Sequence, residues 1–176
     1  TLDDGYSASQ TLPFTFRFGA TDYTTYRVNT NGWLGFGAPT ATTNYSALSG
    51  AVKDVVDFVN RDLNNTGAVY SNLTEGAAPN RIHKIQAENF FRYNTTTMTG
   101  TVQVWLYETS NIIEIHYGQF AQTWTSGTTV QVGLRDELLS RGLIAQHVNW
   151  LSDPPARDGP RPATIRIRST HAGAAG

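Results

Sequence analysis

The chain has 176 residues, of which 39% are hydrophobic, and its formal net charge is −1. A chain of this length buries one substantial core, so we predict a single domain over residues 1–176, with no electrostatic attraction to nucleic acid. Cysteine is absent, which excludes disulfides, thiolate metal sites and thiol catalysis. No apolar run approaches the ~20 residues of a membrane-spanning helix, so we expect no membrane insertion.

The segment LPFTFRFGATDYTTYRVNTNGWLGFG, residues 12–37, predicts three successive strands. Phe14, Phe16 and Phe18 alternate with polar residues, which is typical of a strand with one buried face. A run rich in Tyr, Thr and Val predicts a second strand from Tyr23 to Asn29. The Asn-Gly pair that follows is a hairpin turn signal, and the Trp-Leu-Gly-Phe run after it predicts the third strand.

The middle of the chain predicts shorter elements. The apolar run Val52–Val59 fits a buried strand or one helical turn, and the turn residues that follow it so soon favour the strand. Ala68–Ser71 predicts a short strand. Arg81–Tyr93 predicts a long, half-polar strand that is bent or bulged.

The clearest hairpin is Thr101–Tyr117, with its turn at Thr109-Ser110. One register pairs the apolar residues on a single face, and such agreement is how strand register is specified. The apolar pairs predicted are Val102 with Tyr117, Val104 with Ile115, and Leu106 with Ile113. The same register places Trp105 opposite Glu114, and Gln103 opposite His116, on the polar face.

The C-terminal third predicts two more strands, Thr128–Arg135 and a half-exposed one within Arg161–Thr170, while Leu138–Ile144 fits a turn or a short helix. Nine or ten short strands separated by turn signals indicate an all-β fold. We predict an antiparallel two-sheet β-sandwich of the jelly-roll or Greek-key type.

Five ordered blocks resemble a known module: the aromatic segment 12–37, VNRDL, APNRIHKIQAENFFRY, VQVWLYETSNIIEIHYG and TVQVGLRD. Together they cover about residues 3–136. They are similar to a β-sandwich module of large extracellular and type IX-secreted surface proteins of Bacteroidetes-type bacteria. The resemblance implies a noncatalytic, extracellular domain at the bacterial cell surface that works as a structural or adhesive subunit.

The chain departs from that module in two places. The patch Asn60-Arg61-Asp62-Leu63 stands where Asn-Asp-Asp-Leu is usual, and members usually carry a strand before the segment that holds Asp3 and Asp4. A sandwich edge is therefore expected to lack its in-chain strand.

We hypothesise that another copy of the chain fills this edge by strand addition and that the copies join head to tail into filaments. The segment Arg161–Thr170 would make the contact through Arg161, Ile165 and Ile167, or the tails 1–10 and 170–176 would do so. The alternative is a monomer whose termini dock on its own sheets.

Nothing in the sequence marks a catalytic site. The four histidines, His83, His116, His147 and His171, lie in separate segments without a spacing known for metal or triad chemistry. We therefore predict that the chain is not an enzyme and has no cofactor. Asp54, Asp57 and Asp62 are a candidate calcium site, but the favoured interpretation is that Asp54 and Asp57 face solvent while Asp62 caps a turn.

Surface glycans are the other candidate partner. Trp105 and Tyr107 lie on the polar face of the hairpin, and Trp124 and Trp150 lie in loop-like segments. Flat aromatic rings stack on sugar rings, with amides and carboxylates supplying hydrogen bonds. The chain would then be a carbohydrate-binding module. The alternative is that Trp105 and Tyr107 pack beneath a loop or the second sheet.

Overall fold

The computed structural model describes residues 4–39, 52–64, 68–93, 100–118, 131–136, 143–144 and 163–168. For the last two ranges, and for Phe91, it describes the backbone alone. Within these ranges the chain forms twelve β-strands and no helix.

In chain order the strands are β1 (Gln10–Phe18), β2 (Thr21–Asn29), β3 (Trp33–Phe36), β4 (Val55–Asp57), β5 (Leu63–Asn64), β6 (Val69–Glu75), β7 (Ile82–Arg92), β8 (Gly100–Tyr107), β9 (Ile112–Tyr117), β10 (Gly133–Arg135), β11 (Leu143–Ile144) and β12 (Ala163–Arg168). The first sheet has the order β1-β2-β3-β4-β10-β11, and the second has β12-β9-β8-β7-β5, with β6 also paired to β7. The pairings are antiparallel, and the predicted all-β, two-sheet sandwich is confirmed.

The first sheet begins as the aromatic pattern predicts. On β1 the side chains of Phe14, Phe16 and Phe18 are buried, while the residues between them are exposed. The turn between β2 and β3 ends at Gly32, whose φ of 81° lies in the left-handed region. This conformation is open to glycine, which is why the Asn-Gly pair can close the hairpin tightly.

The predicted register of the β8–β9 hairpin is confirmed in each of its five pairs, from Val102 with Tyr117 to Leu106 with Ile113. The predicted bulge in β7 is also present, because the pairing of β7 with β8 shifts between Glu88 and Phe90. Asn89 lies at the shift with a φ of 57°. The bulge therefore divides β7 into a long part that pairs with β6 and a short part that pairs with β5.

Two other elements differ from prediction. The strand expected over Thr128–Arg135 is confined to Gly133–Arg135 among its described residues, and Leu143–Ile144 forms β11 rather than a turn or helix. Both strands are short and gain their hydrogen bonds from β4 and from each other. Such pairing depends on residues that are far apart in the chain, and strands this short show no hydrophobic periodicity in the sequence.

The main core lies between the sheets. The first sheet contributes mostly phenylalanine, valine and leucine, and the second contributes the apolar faces of β7, β8 and β9. Its largest fully buried members include Phe16, Phe18, Leu34, Leu106 and Ile113. Each such side chain stabilises the fold by about 1.5–3 kcal/mol relative to leaving it exposed.

Candidate functional site

The outer face of the first sheet is closed by a second, smaller hydrophobic cluster. Trp33 and Val55 are completely buried and Val52 nearly so, and Tyr6 packs edge-on against Trp33 with ring centres 5.3 Å apart. Because successive side chains of a strand point to opposite faces, Trp33 lies away from the main core that Leu34 enters. This face is therefore structural.

The turn before Trp33 is hydrogen-bonded to the backbone segment that follows β4. The carbonyl oxygen of Gly32 accepts hydrogen bonds from the backbone N–H groups of Phe58, Val59 and Asn60, at 2.9–3.1 Å. Successive N–H groups that converge on one oxygen form a nest. A Cβ at Gly32 would lie 2.7 Å from the Cβ of Val59, so the approach requires glycine.

The side chain of Asn31 adds two hydrogen bonds to this contact. It is buried, its Nδ2 donates to Asp4 Oδ1 at 2.7 Å, and its Oδ1 accepts from the backbone N–H of Leu63 at 3.1 Å. Two blocks that the sequence separates by about 30 residues therefore meet in one hydrogen-bonded joint. They hold the fold together and do not form a reactive site.

A second joint fixes the β8–β9 turn. Arg81 donates to Glu108 through Nε at 2.8 Å and through Nη2 at 2.5 Å, and this pairing lowers the pKa of Glu108 to about 2. The guanidinium also lies 5.4 Å from the ring centre of Phe14. In addition, Thr109 Oγ1 donates to the carbonyl of Pro79 at 2.8 Å. The P-N-R and Y-E-T blocks are thus a structural clamp as well.

The outer face of the second sheet is different, because polar and aromatic side chains cover it. We call this surface the polar platform, and its members are Ser71, Leu73, Glu75, Lys84, Gln86, Glu88, Gln103, Trp105, Tyr107, Glu114 and His116. Cross-strand pairing aligns them in rows, with Leu73, Lys84, Trp105 and Glu114 in one row and Ser71, Gln86, Gln103 and His116 in the next.

Trp105 is the centre of the platform. The ring of His116 lies 4.0 Å from the indole and is tilted by 32°, and the Nζ of Lys84 lies 4.0 Å from the indole centre. Lys84 and His116 come from the strands on either side of β8. The ammonium is held in place by Glu75 Oε2 at 2.6 Å and by attraction to the indole π-system.

A chain of amides runs from Trp105 across two strands. Trp105 Nε1 donates to Gln103 Oε1 at 2.7 Å, and Gln103 Nε2 donates to Gln86 Oε1. Gln86 Nε2 then donates to Glu88 Oε1 at 2.7 Å. Each amide keeps one further N–H and one further lone pair, so this row offers oriented donors and acceptors to a ligand.

On the other side of Trp105, Glu114 is nearly buried, with 4% of its surface exposed. Its Oε2 accepts from the hydroxyl of Tyr107 at 2.8 Å and lies 3.0 Å from Nε2 of His116. One carboxylate oxygen therefore contacts both flanking side chains.

A shallow pocket of about 220 Å³ lies beside the amide chain. Ser71, Leu73, Lys84, Gln86 and Gln103 line it, together with Asn72 and Glu75. Two of these, Lys84 and Gln103, also contact Trp105 directly. The pocket is therefore lined by one apolar side chain, Leu73, and by six side chains that carry hydrogen-bonding groups.

The predicted aromatic site is only partly within the described ranges. Trp105 and Tyr107 lie together on the platform, with ring centres 6.5 Å apart, and are half-buried by neighbouring side chains. Trp124 and Trp150 lie outside the described residues. The sequence did not indicate Lys84, Gln86 or Ser71, because these join the platform only through the pairing of β6, β7 and β8.

The predicted calcium ligands do not share one environment. Asp57 is completely buried in β4, so the expectation that it faces solvent is wrong, whereas Asp54 and Asp62 are half-buried. The backbone carbonyls of Asp54 and Asp62 accept from Phe36 and Tyr93, respectively. Among the described residues, no three His, Cys, Asp or Glu side chains come together in a way that could hold a metal ion.

The predicted subunit-contact segments pair within their own chain where they are described. Ile165 and Ile167 are aligned with Ile115 and Ile113 as β12 pairs with β9, while Arg161 lies outside the described residues. Tyr6 forms a bridge with Asn29 of β2. The pairing of these segments with another copy stays a prediction.

Comparison with known proteins shows the family. The model of the family described as NIDO related matches residues 1–160. The chain belongs to the NIDO-related family. This is a β-rich, extracellular-type family that is not typically catalytic. No curated protein and no solved structure matches the chain at a significant level.

NIDO-related membership agrees with the expected noncatalytic, extracellular-type module. The region matched includes both joints and the whole polar platform. Within the described ranges, no helix has the length and apolarity needed to cross a membrane.

Proposed function

We propose that this chain is an adhesive module of a bacterial cell-surface protein and that it binds glycans through the polar platform. The observation that carries the proposal is the amide chain from Trp105 through Gln103 to Gln86, which borders a pocket on an outer sheet face. Sugars present alternating hydroxyl donors and acceptors above apolar C–H faces. Oriented amides beside one apolar side chain, Leu73, match that chemistry.

Trp105 has a supporting role in this proposal. Lys84 and His116 lie close to its ring, so a sugar that stacked on the indole would have to displace one of them. The ligand instead rests in the adjacent pocket, where Trp105 holds Lys84 by its π-system and Gln103 by its Nε1. Loss of the indole would therefore remove the contacts that hold two pocket-lining side chains, Lys84 and Gln103, in place.

A glycan array tests this proposal. Purified wild-type protein is expected to bind a subset of glycans, and Gln86→Ala is expected to reduce that binding by about tenfold, since one or two ligand hydrogen bonds are lost. The matched control is Thr15→Ala, at an exposed position on β1 of the other sheet. Absence of binding by the wild type, or equal binding by both variants, would overturn the proposal.

The bacterial, type IX-secreted origin is part of the same proposal and is supported by the five sequence blocks described above.

Calcium also remains a proposal, with Asp54 and Asp62 as the accessible ligands. Thermal unfolding with calcium and with a chelator checks this, because an ion that binds the folded state raises the melting temperature. An unchanged melting temperature would remove calcium from the account.

A further inference from the structure

Among the described residues, strand β6 forms an exposed sheet edge, and we propose that it pairs antiparallel with β6 of a second copy to form a closed, two-fold symmetric dimer. Five of its seven residues are exposed. Of the three exposed large hydrophobic side chains in the described ranges, two lie on this strand, Val69 at 48% and Leu73 at 58%. The inference does not rest on glycan binding.

The other sheet edges carry features that discourage pairing. Strand β1 has Pro13 and Arg17 and an irregular register between Thr11 and Phe16, and β12 has Arg166 and Arg168 in its sequence. Strands β5 and β11 have only two residues each. Short strands, charges, prolines and bulges are the usual means of blocking edge-to-edge association.

Strand β6 has none of these protections along most of its length. Its register with β7 is uninterrupted over seven pairs, so the strand is regular, and Val69–Thr74 contains neither a charged residue nor a proline. A regular edge turns alternate backbone N–H and C=O groups away from its single partner. An extended strand is the structure that satisfies such a row of groups.

The side chains identify a second β6 as the occupant. When two copies pair about Ser71, Val69 of each copy lies opposite Leu73 of the other, and Tyr70 lies opposite Asn72. Both apolar exposed side chains then gain an apolar cross-strand partner. The paired segment is uncharged, and Glu75 falls beyond its end, so no like charges oppose each other across the two-fold axis.

This arrangement would extend the second sheet through both copies and place the two pockets on one continuous outer face, because Ser71 and Leu73 line the pocket. One strand pair buries less than the ~1,200 Å² of a standard stable interface. The dimer is therefore concentration-dependent, and it would be strengthened by a ligand with two sites.

Cysteine cross-linking tests the register, since the chain has no cysteine of its own. Under oxidation Ser71→Cys is expected to form a covalent dimer, because the two residues are directly opposite each other. Leu73→Cys alone is expected to stay monomeric, whereas a mixture of Val69→Cys and Leu73→Cys proteins is expected to cross-link. Thr15→Cys, exposed on β1, is the control for random collision.

Sedimentation measures the association itself. Leu73→Lys is expected to weaken dimerisation by about tenfold or more, since it removes two apolar pairs and places a charge at each. The variant position is exposed, and circular dichroism checks that the fold is kept. A Ser71→Cys protein that cross-links no better than Thr15→Cys would overturn the proposal, as would open polymers in place of a dimer.

Discussion

The outer faces of the two sheets each hold a tryptophan at the centre of a cluster, but the clusters differ in kind. Trp33 is completely buried against Val52, Val55 and Tyr6. Trp105 is half-buried among polar side chains that are fixed by hydrogen bonds and remain within reach of solvent. The first face contributes stability, whereas the second leaves hydrogen-bonding side chains accessible to solvent. The difference shows that an aromatic residue on an outer sheet face does not by itself indicate a binding surface.

The largest expected effect comes from truncating the two tryptophans in parallel. Trp33→Ala should lower the free energy of unfolding by about 3–5 kcal/mol, because it empties a fully buried site. Trp105→Ala should cost about 1 kcal/mol, since it removes one hydrogen bond and one cation–π contact. Denaturant unfolding of both variants measures the difference. Equal losses of unfolding free energy would contradict the division into a face that stabilises the fold and a face whose polar side chains remain accessible.

The turn before Trp33 sharpens the comparison. Gly32→Ala should destabilise the fold by about 2–4 kcal/mol, because its positive φ disfavours a side chain and the new Cβ would lie 2.7 Å from that of Val59. Gly37→Ala is the matched control, with a positive φ but a nearest contact of 3.3 Å, and should cost about 1 kcal/mol. Thermal unfolding of the pair separates backbone strain from steric overlap.

A smaller effect distinguishes a buried histidine from one on the platform. His83 lies between the sheets, with Nε2 3.1 Å from the hydroxyl of Tyr26 and Nδ1 2.9 Å from that of Thr74, and burial lowers its pKa. Below about pH 6.5 the unfolded chain takes up a proton at His83 more readily than the folded chain does. The free energy of unfolding should therefore fall as the pH falls from about 6.5 towards the lowered pKa.

This pH dependence is measured by denaturant unfolding between pH 5 and 8. The Arg81–Glu108 clamp does not interfere, because the pKa of Glu108 is lowered to about 2 and its contribution to stability is lost only below about pH 4.5. His83→Gln should flatten the pH dependence, whereas His116→Gln, on the platform, should leave the His83 component in place. An unchanged slope in His83→Gln would contradict the assignment.

The sequence predicts the fold well where one local pattern admits one arrangement. The β8–β9 register could be predicted because the apolar residues of both strands share a face in only one alignment. The platform could not. Lys84 and Gln86 lie beside Trp105 and Gln103 only through the pairing of β7 with β8, which contains the bulge at Asn89, and Ser71 joins them only through the separate pairing of β6 with β7. The burial of Asp57 could not be predicted either, since it follows from the pairing of β4 with both β3 and β10.

The central claim is that the polar platform of the second sheet is the ligand-binding surface. The most direct measurement is an NMR titration of the ¹⁵N-labelled protein with the glycan that binds best on the array. We predict that the backbone amides of β6, β7 and β8 shift, above all those around Ser71, Gln86 and Gln103, while those of β3 and β4 stay unchanged. Shifts centred on Trp33 and Val55, or no shift with any glycan, would contradict the account.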